Sequence, residues 1–162
     1  MIVAGCLVER YRDDLMKELP EVDAFIGTSQ VGDILKATDA EFDAKKLTIT
    51  PIGNKSATYL YDEYTPRMRA TASHTAFIKI AEGCDRPCAF CSIPSMRGSF
   101  RSRRFGSIIE EARMLAKQGV KELVLIAQDS SRYGEGLGEI DALAALIRAL
   151  GGIGGLEWNR TV

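Results

Sequence analysis

The sequence contains little of what would mark several specialised classes of protein. In 162 residues it has one histidine, one tryptophan and four cysteines, and its net charge is only −1. No apolar run approaches the roughly 20 residues that span a bilayer, and there is no internal repeat or low-complexity stretch. These features argue against a membrane protein, a disulfide miniprotein, a fibre and a disordered tail. The remaining composition, 46% hydrophobic and 27% charged, predicts an ordinary globular protein, and we expect it in the cytoplasm.

The small net charge conceals a basic segment between two acidic ones. Residues 66–104 carry a net charge of +6, whereas residues 1–65 carry −5 and residues 105–162 carry −2. A basic run of this kind is either a solvated loop or a contact for an anion or a nucleic acid. The residue types inside the segment decide between these two interpretations.

Three of the four cysteines lie in the basic segment with the spacing C-x3-C-x2-C, at Cys84, Cys88 and Cys91. Their crowding argues against a disulfide framework. Structural zinc ordinarily takes four protein ligands, and only Cys6 or His74 remains to supply a fourth. Ferredoxins use four thiolates in a different spacing. Three thiolates in one loop can instead hold three irons of a cubane 4Fe-4S cluster and leave the fourth iron open to a ligand. A zinc site is the alternative to the cluster.

The segments around and after these cysteines predict an α/β fold with a parallel sheet. A β-branched, alternating run ends at Gly83, where the chain can turn sharply into the cysteine loop. Helices and a fully apolar strand then alternate, an order typical of parallel strands joined by crossover helices. The predicted elements are a strand at 75–81, a helix from a capping box at Ser107 and Glu110 to Gly119, a strand at 122–127, a helix at about 140–150 and the start of a strand at 156–158.

Two polar loops follow neighbouring strands of this predicted sheet, at 84–91 and at 128–131. Ligands of parallel sheets gather at the carboxyl ends of the strands. We therefore expect Gln128 and Asp129 to face the cysteine loop. The alternative is that this loop only connects a strand to a helix, with Asp129 as a local cap.

The first 65 residues predict a separate unit. Their predicted elements are a strand at 1–5, a helix at 12–19, a strand at 23–27, a helix at 30–37 and a hairpin-like linker at 45–62.

The residues around the cysteines resemble the signature of radical S-adenosylmethionine (SAM) enzymes, C-x3-C-x-aromatic-C, which here reads Cys84-x3-Cys88-x-Phe90-Cys91. The stretch 92–98 and the segment around Cys6 are similar to the methylthiotransferase branch of that superfamily. Within the branch, 93–98 and 127–134 look like the RimO type, which methylthiolates the β-carbon of an aspartate in a small-subunit ribosomal protein. The alternative is the tRNA-modifying MiaB type, in which Val-Pro-Tyr-Thr-Arg-Gly and Gln-Asn would be expected at these two places.

The resemblance implies a fold, two cofactors and a set of ligands. Residues 66–162 would be the first part of a partial TIM-type barrel, and residues 1–65 would be the end of an amino-terminal cluster domain with its linker. Cys84, Cys88 and Cys91 would ligate the SAM-binding 4Fe-4S cluster. The other residues given a role are Cys6, as one of three ligands of a second 4Fe-4S cluster, and Phe90, Gln128 and Asp129, as neighbours of SAM.

The resemblance also implies radical chemistry carried by the cofactor, with no catalytic acid–base pair from the protein. The expected partners are a ribosomal protein and an electron donor such as flavodoxin or ferredoxin, with tRNA only under the alternative. Four arginines are expected to offset cluster charge or to contact an RNA-rich target: Arg97, Arg101, Arg103 and Arg104.

Several features depart from the family pattern. A second cluster needs three cysteine ligands, but Cys6 is the one cysteine in the sequence besides Cys84, Cys88 and Cys91. The predicted sheet also has fewer strands than the family's barrel. We therefore expect an internal fragment of a longer enzyme that is inactive alone. A non-catalytic zinc or iron–sulfur module is the remaining alternative.

Overall fold

The computed structural model of the protein describes residues 1–35, 59–70 and 72–162, which belong to two compact units. The first unit comprises residues 1–59 and 85–99, and the second comprises residues 60–84 and 100–162. Of the helices in these described ranges, none combines the length and the apolar character that crossing a membrane requires.

The first unit contains two parallel strands and the helix that connects them. Strand β1 (Ile2–Ala4) pairs with β2 (Ala24–Ile26), and helix α1 (Cys6–Glu18) lies between them in the chain. The helix begins six residues before the predicted start, because Val8 in its first turns is buried in the small core of this unit. Tyr11 has non-helical backbone angles and divides the helix at a kink.

Two shorter elements complete the described part of the first unit. A 3-10 helix at Thr28–Asp33 stands where an α-helix at 30–37 was predicted, and residues 36 and 37 lie outside the described residues, as does 45–58 of the predicted linker. Helix α2 (Ile93–Arg97) was not predicted and has Pro94 in its first turn, where a missing N–H costs no hydrogen bond. The Thr28 hydroxyl donates to the Met96 carbonyl at 2.8 Å and joins these two elements.

The second unit is built on a three-stranded parallel sheet. The strands β3 (Thr75–Lys79), β6 (Glu122–Ile126) and β7 (Trp158–Thr161) lie side by side in that order, and β3 pairs in register with β6 over its full length. This confirms the predicted α/β class and the parallel sheet. The elements of the unit are β3 (Thr75–Lys79), β4 (Ala81–Glu82), β5 (Arg101–Ser102), α3 (Phe105–Lys117), β6 (Glu122–Ile126), α4 (Ala142–Gly151) and β7 (Trp158–Thr161).

The main core lies between one face of this sheet and helices α3 and α4. Alternate residues of β3 point into it, so Ala76 and Ile78 are fully buried while Phe77 faces the opposite side and stays partly exposed. Leu125 of β6 and Leu146 of α4 are also fully buried. The burial of apolar side chains on this one face fixes the positions of the strand ends, where the polar loops begin.

The start of α3 differs from the predicted capping box. The helix begins at Phe105, its N-cap residue Arg104 makes no side-chain cap hydrogen bond, and Ser107 lies inside the first turn. The Ser107 hydroxyl instead donates to the Glu63 carboxylate and accepts from Arg103 Nε at 2.9 Å. The capping-box prediction is therefore wrong, because tertiary contacts occupy the hydroxyl. Gly119 follows the helix with φ 87°, in agreement with the predicted end.

Candidate functional site

The cysteine loop leaves the sheet through a sharp turn at Gly83. This residue has φ 78°, a left-handed conformation that favours glycine. Its N–H donates to Gln128 Oε1 at 2.9 Å and to Glu82 Oε1 at 3.1 Å. The half-buried thiol of Cys84 comes directly after this turn, so the direction in which the loop departs depends on the Gly83 backbone.

Cys88 and Cys91 belong to the first unit and are joined by a tight turn, in which the Cys91 N–H donates to the Cys88 carbonyl at 3.1 Å. Cys88 is exposed and Cys91 is half-buried. Phe90 lies between them with 95% of its surface exposed. Its ring is accessible to a bound molecule, and the predicted contact with adenine remains a prediction.

The chemistry of these donors fits a thiolate-ligated iron cluster. Cys84, Cys88 and Cys91 are free thiols within eight residues of chain, and thiolate sulfur is the ligand preferred by iron–sulfur clusters and also by zinc. In residues 1–35, 59–70 and 72–162, no three His, Cys, Asp or Glu side chains are grouped in a way that would hold a metal ion. The ligand roles therefore rest on donor type and sequence spacing, and they remain predictions.

The loop after β6 reaches the start of the cysteine loop. Gln128 lies beyond the carboxyl end of β6 and contacts the backbone of Gly83, as expected for loops that follow neighbouring parallel strands. Asp129 Oδ1 accepts a hydrogen bond from the Ser131 hydroxyl at 2.6 Å. Asp129 is the N-cap residue of the short 3-10 helix at Ser130–Arg132, but its side chain makes no cap hydrogen bond to the backbone. The contacts of Gln128 and Asp129 with SAM remain predictions.

A buried ion pair immediately precedes the cysteine loop. Glu82 is 7% exposed and pairs with Lys79. Glu82 also lies opposite Arg101 in the antiparallel pairing of β4 with β5. Burial lowers the pKa of the Arg101 guanidinium, and the negative charge of Glu82 opposes that shift. Sequence analysis missed the pair because residues three apart in a regular strand point to opposite faces. The break between β3 and β4 at Ile80 removes this regularity.

The arginines predicted to tune charge have different surroundings. In the first unit, Arg97 Nη2 donates to Cys6 Sγ at 3.3 Å. In the second unit, Arg101 is half-buried and Arg104 is exposed. The contact between Arg97 and Cys6 joins residues 91 positions apart, so no sequence spacing could have indicated it.

Arg103 is the centre of a buried polar network. It is 2% exposed, its guanidinium pairs with Glu111, and Glu111 also pairs with Arg67. The Arg103 carbonyl accepts a hydrogen bond from the Tyr133 hydroxyl at 3.0 Å. Burial of the phenol, reinforced by Glu139 and opposed by Arg103, raises the pKa of Tyr133 to about 12. The network joins the return from the cysteine loop to α3 and to the loop after β6.

A parallel α/β sheet with a three-cysteine loop after its first strand is typical of a class of cofactor-dependent proteins. Comparison with known families identifies this class. The family model described as the Radical SAM superfamily matches residues 78–159, which run from the first strand of the sheet through the cysteine loop to β7. The chain belongs to the radical SAM superfamily.

Curated relatives narrow the similarity to one branch. The chain is 44%, 51% and 47% identical to proteins named ribosomal protein uS12 methylthiotransferase RimO from Koribacter versatilis, Solibacter usitatus and Pelotomaculum thermopropionicum. These alignments cover 99%, 93% and 99% of the chain but 39%, 30% and 35% of the relatives. The chain thus spans about a third of the length of these relatives, and the predicted resemblance to the RimO type is confirmed.

Proposed function

We propose that the chain carries the SAM-binding cluster loop of a radical-SAM methylthiotransferase that acts on ribosomal protein uS12. The observation that supports this most directly is the alignment of 93–99% of the chain with three relatives of that name, at 44–51% identity. In the proposed reaction, a methylthio group replaces one hydrogen on the β-carbon of an aspartate. The protein is on this account a transferase whose substrate is a ribosomal protein.

The proposal assigns two iron–sulfur clusters. Cys84, Cys88 and Cys91 would hold a 4Fe-4S cluster with one open iron for SAM, and Cys6 would be one ligand of a second 4Fe-4S cluster concerned with the transferred sulfur. A cluster held by Cys84, Cys88 and Cys91 would supply the one-electron chemistry by which bound SAM is reductively cleaved. The free state of all four thiols supports this assignment, since a disulfide would remove the ligands. The electron would come from a donor such as flavodoxin or ferredoxin.

The protein's own contribution is to position SAM and to enclose the reacting groups. The phenyl ring of Phe90 is exposed and available to pack against adenine, and Gln128 and Asp129 stand in the loop beside the start of the cysteine loop. Carbon-centred radicals must be kept from solvent and from other hydrogen donors, which requires a closed site. On this proposal, Arg97, Arg101 and Arg104 contribute positive charge near the cluster or a ribosomal target. Arg103, although expected to do the same, is buried and paired with Glu111, so its charge is used inside the protein.

The fold proposed for the second unit is the first part of a partial TIM-type barrel. Its parallel strands in the order β3-β6-β7, with helices packed on one face, are the repeating β/α units from which such barrels are built. Polar loops follow the strands at the edge where barrel enzymes hold their ligands. On this proposal, residues 1–65 form the end of an amino-terminal cluster domain and residues 66–162 the first part of the barrel.

Mass spectrometry of the target tests the proposed function. Ribosomal protein uS12 is isolated from cells with the gene that encodes this chain, from cells without it, and from cells in which Cys88 is replaced by serine. We expect the aspartate peptide of uS12 to carry a methylthio group only in the first. A uS12 mass unchanged by loss of the gene would contradict the proposal, and methylthiolated nucleosides lost from tRNA instead would favour the tRNA-modifying alternative.

A further inference from the structure

We propose that Gln128 is a positioning residue that fixes the entrance to the cysteine loop through the backbone amide of Gly83. Gln128 and Gly83 are 45 residues apart in sequence, and the side-chain carbonyl of Gln128 accepts the Gly83 N–H at 2.9 Å. The inference deepens the proposed function, on which it rests for the ligand role of Cys84. It concerns the protein itself, so it is testable without iron or SAM.

The Gly83 backbone is the natural hinge of the loop. A glycine without constraint moves between left- and right-handed conformations more readily than any other residue. Gly83 has φ 78°, and Cys84 is the next residue, so a rotation at Gly83 changes the direction of the Cys84 side chain. A tether on the Gly83 amide therefore restricts the first thiol of the triad.

Two acceptors hold that amide, and each is itself fixed. Glu82 Oε1 accepts it at 3.1 Å, and the Glu82 carboxylate is held by Lys79 in a buried pair. Gln128 follows β6, the central strand of the sheet, whose residue Leu125 is fully buried. The Gly83 amide is thus bound to its own strand and to the neighbouring one. Because one acceptor site of the Gln128 carbonyl is used by the Gly83 N–H, this side chain offers a bound ligand its two NH2 donors and one remaining acceptor site.

Replacing Gln128 with methionine removes the acceptor and keeps the side chain's length and volume. Hydrogen exchange of the Gly83 amide, measured by NMR in chain labelled with ¹⁵N-glycine, should become roughly five- to tenfold faster, as expected when one ordinary hydrogen bond is lost. The Gly83 amide proton resonance should also move upfield. Gln118→Met is the matched control, because Gln118 is an exposed glutamine at the end of α3.

Cysteine alkylation gives a second readout with internal controls. Under reducing, metal-free conditions, Gln128→Met should raise the alkylation rate of Cys84 several-fold and leave Cys88 and Cys91 within twofold of their rates in the unchanged chain. Equal Gly83 exchange and Cys84 alkylation in Gln128→Met and Gln118→Met would overturn the proposal. So would a uniform rise at all three cysteines together with lost protection of the β6 amides, since that pattern indicates general destabilisation.

The failure of the proposed function would look different. A chain that takes up no iron and sulfide during anaerobic reconstitution contradicts the cluster assignment, but it leaves the exchange and alkylation rates of the metal-free chain unaltered. The two inferences are therefore separately refutable.

Discussion

Replacing Glu111 with leucine removes the carboxylate that neutralises a buried arginine. Arg103 is 2% exposed, and its guanidinium pairs with one Glu111 oxygen while Arg67 pairs with the other. Leucine fills a similar volume but leaves the Arg103 charge without its ionic partner in the helix. Arg103 keeps its hydrogen bond to the Ser107 hydroxyl at 2.9 Å and a longer contact with the Lys79 carbonyl at 3.4 Å.

The expected cost follows from this geometry. Breaking a buried pair by removing one partner costs about 3–5 kcal/mol, and the remaining contacts of Arg103 place this case near the lower end, at about 3 kcal/mol. For a chain of this size, that loss lowers the unfolding midpoint by about 10 °C. Arg103→Met should cost less than Glu111→Leu, because Glu111 then remains paired with Arg67, a residue that is partly exposed to water. The double variant Arg103→Met/Glu111→Leu should be more stable than Glu111→Leu alone, since no buried charge is left unpaired.

Thermal and urea unfolding, followed by circular dichroism and by fluorescence of the single tryptophan Trp158 in β7, measure these differences. Glu110→Leu is the matched control, because Glu110 is the adjacent residue, is exposed, and makes a long 3.7 Å contact with Arg113. Its loss should cost no more than about 1 kcal/mol. If Glu111→Leu and Glu110→Leu shift the midpoint equally, the Arg103 network does not stabilise the second unit as described.

Two further predictions concern the loop between β6 and α4. Gly134→Ala should destabilise the chain by about 3 kcal/mol in urea unfolding, because φ is 102° and the added Cβ atom would lie 2.3 Å from the Ala142 Cβ atom. Gly136→Ala is the control and should cost about 1 kcal/mol, because φ is 83° but the space around the residue is open. Equal costs for the two variants would contradict the predicted clash with Ala142. The pKa of Tyr133 is raised to about 12 by burial, so the stability it contributes is present below about pH 10 and is lost as the pH rises through about 12. An ultraviolet titration should show one late-ionising tyrosine that disappears in Tyr133→Phe, and its persistence in that variant would refute the assignment.

The first two strands of the main sheet, β3 and β6, could be predicted because local pattern determines them. The third strand was expected at 156–158 but lies at Trp158–Thr161, and the short antiparallel pair of β4 and β5 was not predicted. The alternation of 75–79 and the apolar run of 122–126 indicate strands without reference to the rest of the chain. The approach of Gln128 to the cysteine loop followed from topology, because carboxyl ends of parallel strands share an edge. Spacing alone was also enough to indicate the three-cysteine loop.

The polar contacts could not be predicted, because polar residues carry no periodic signal of burial. Ser107 and Glu110 match a capping box in sequence, yet the N-cap residue is Arg104, three positions earlier, and the Ser107 hydroxyl is used by Glu63 and Arg103. Helix α2 has only five residues, too few for a helical period to show. The same limit applies to the partners of charged residues around the site, which depend on distant parts of the chain.

Whether Cys84, Cys88 and Cys91 hold a 4Fe-4S cluster is decided by iron and sulfide analysis with EPR after anaerobic reconstitution of the chain. We expect about four irons and four sulfides per chain, with a reduced-state EPR signal that changes on addition of SAM. Cys88→Ser should abolish this content, whereas Cys6→Ser should retain it. Zinc without sulfide, or cluster content unaffected by Cys88→Ser, would contradict the assignment of the three cysteines as cluster ligands.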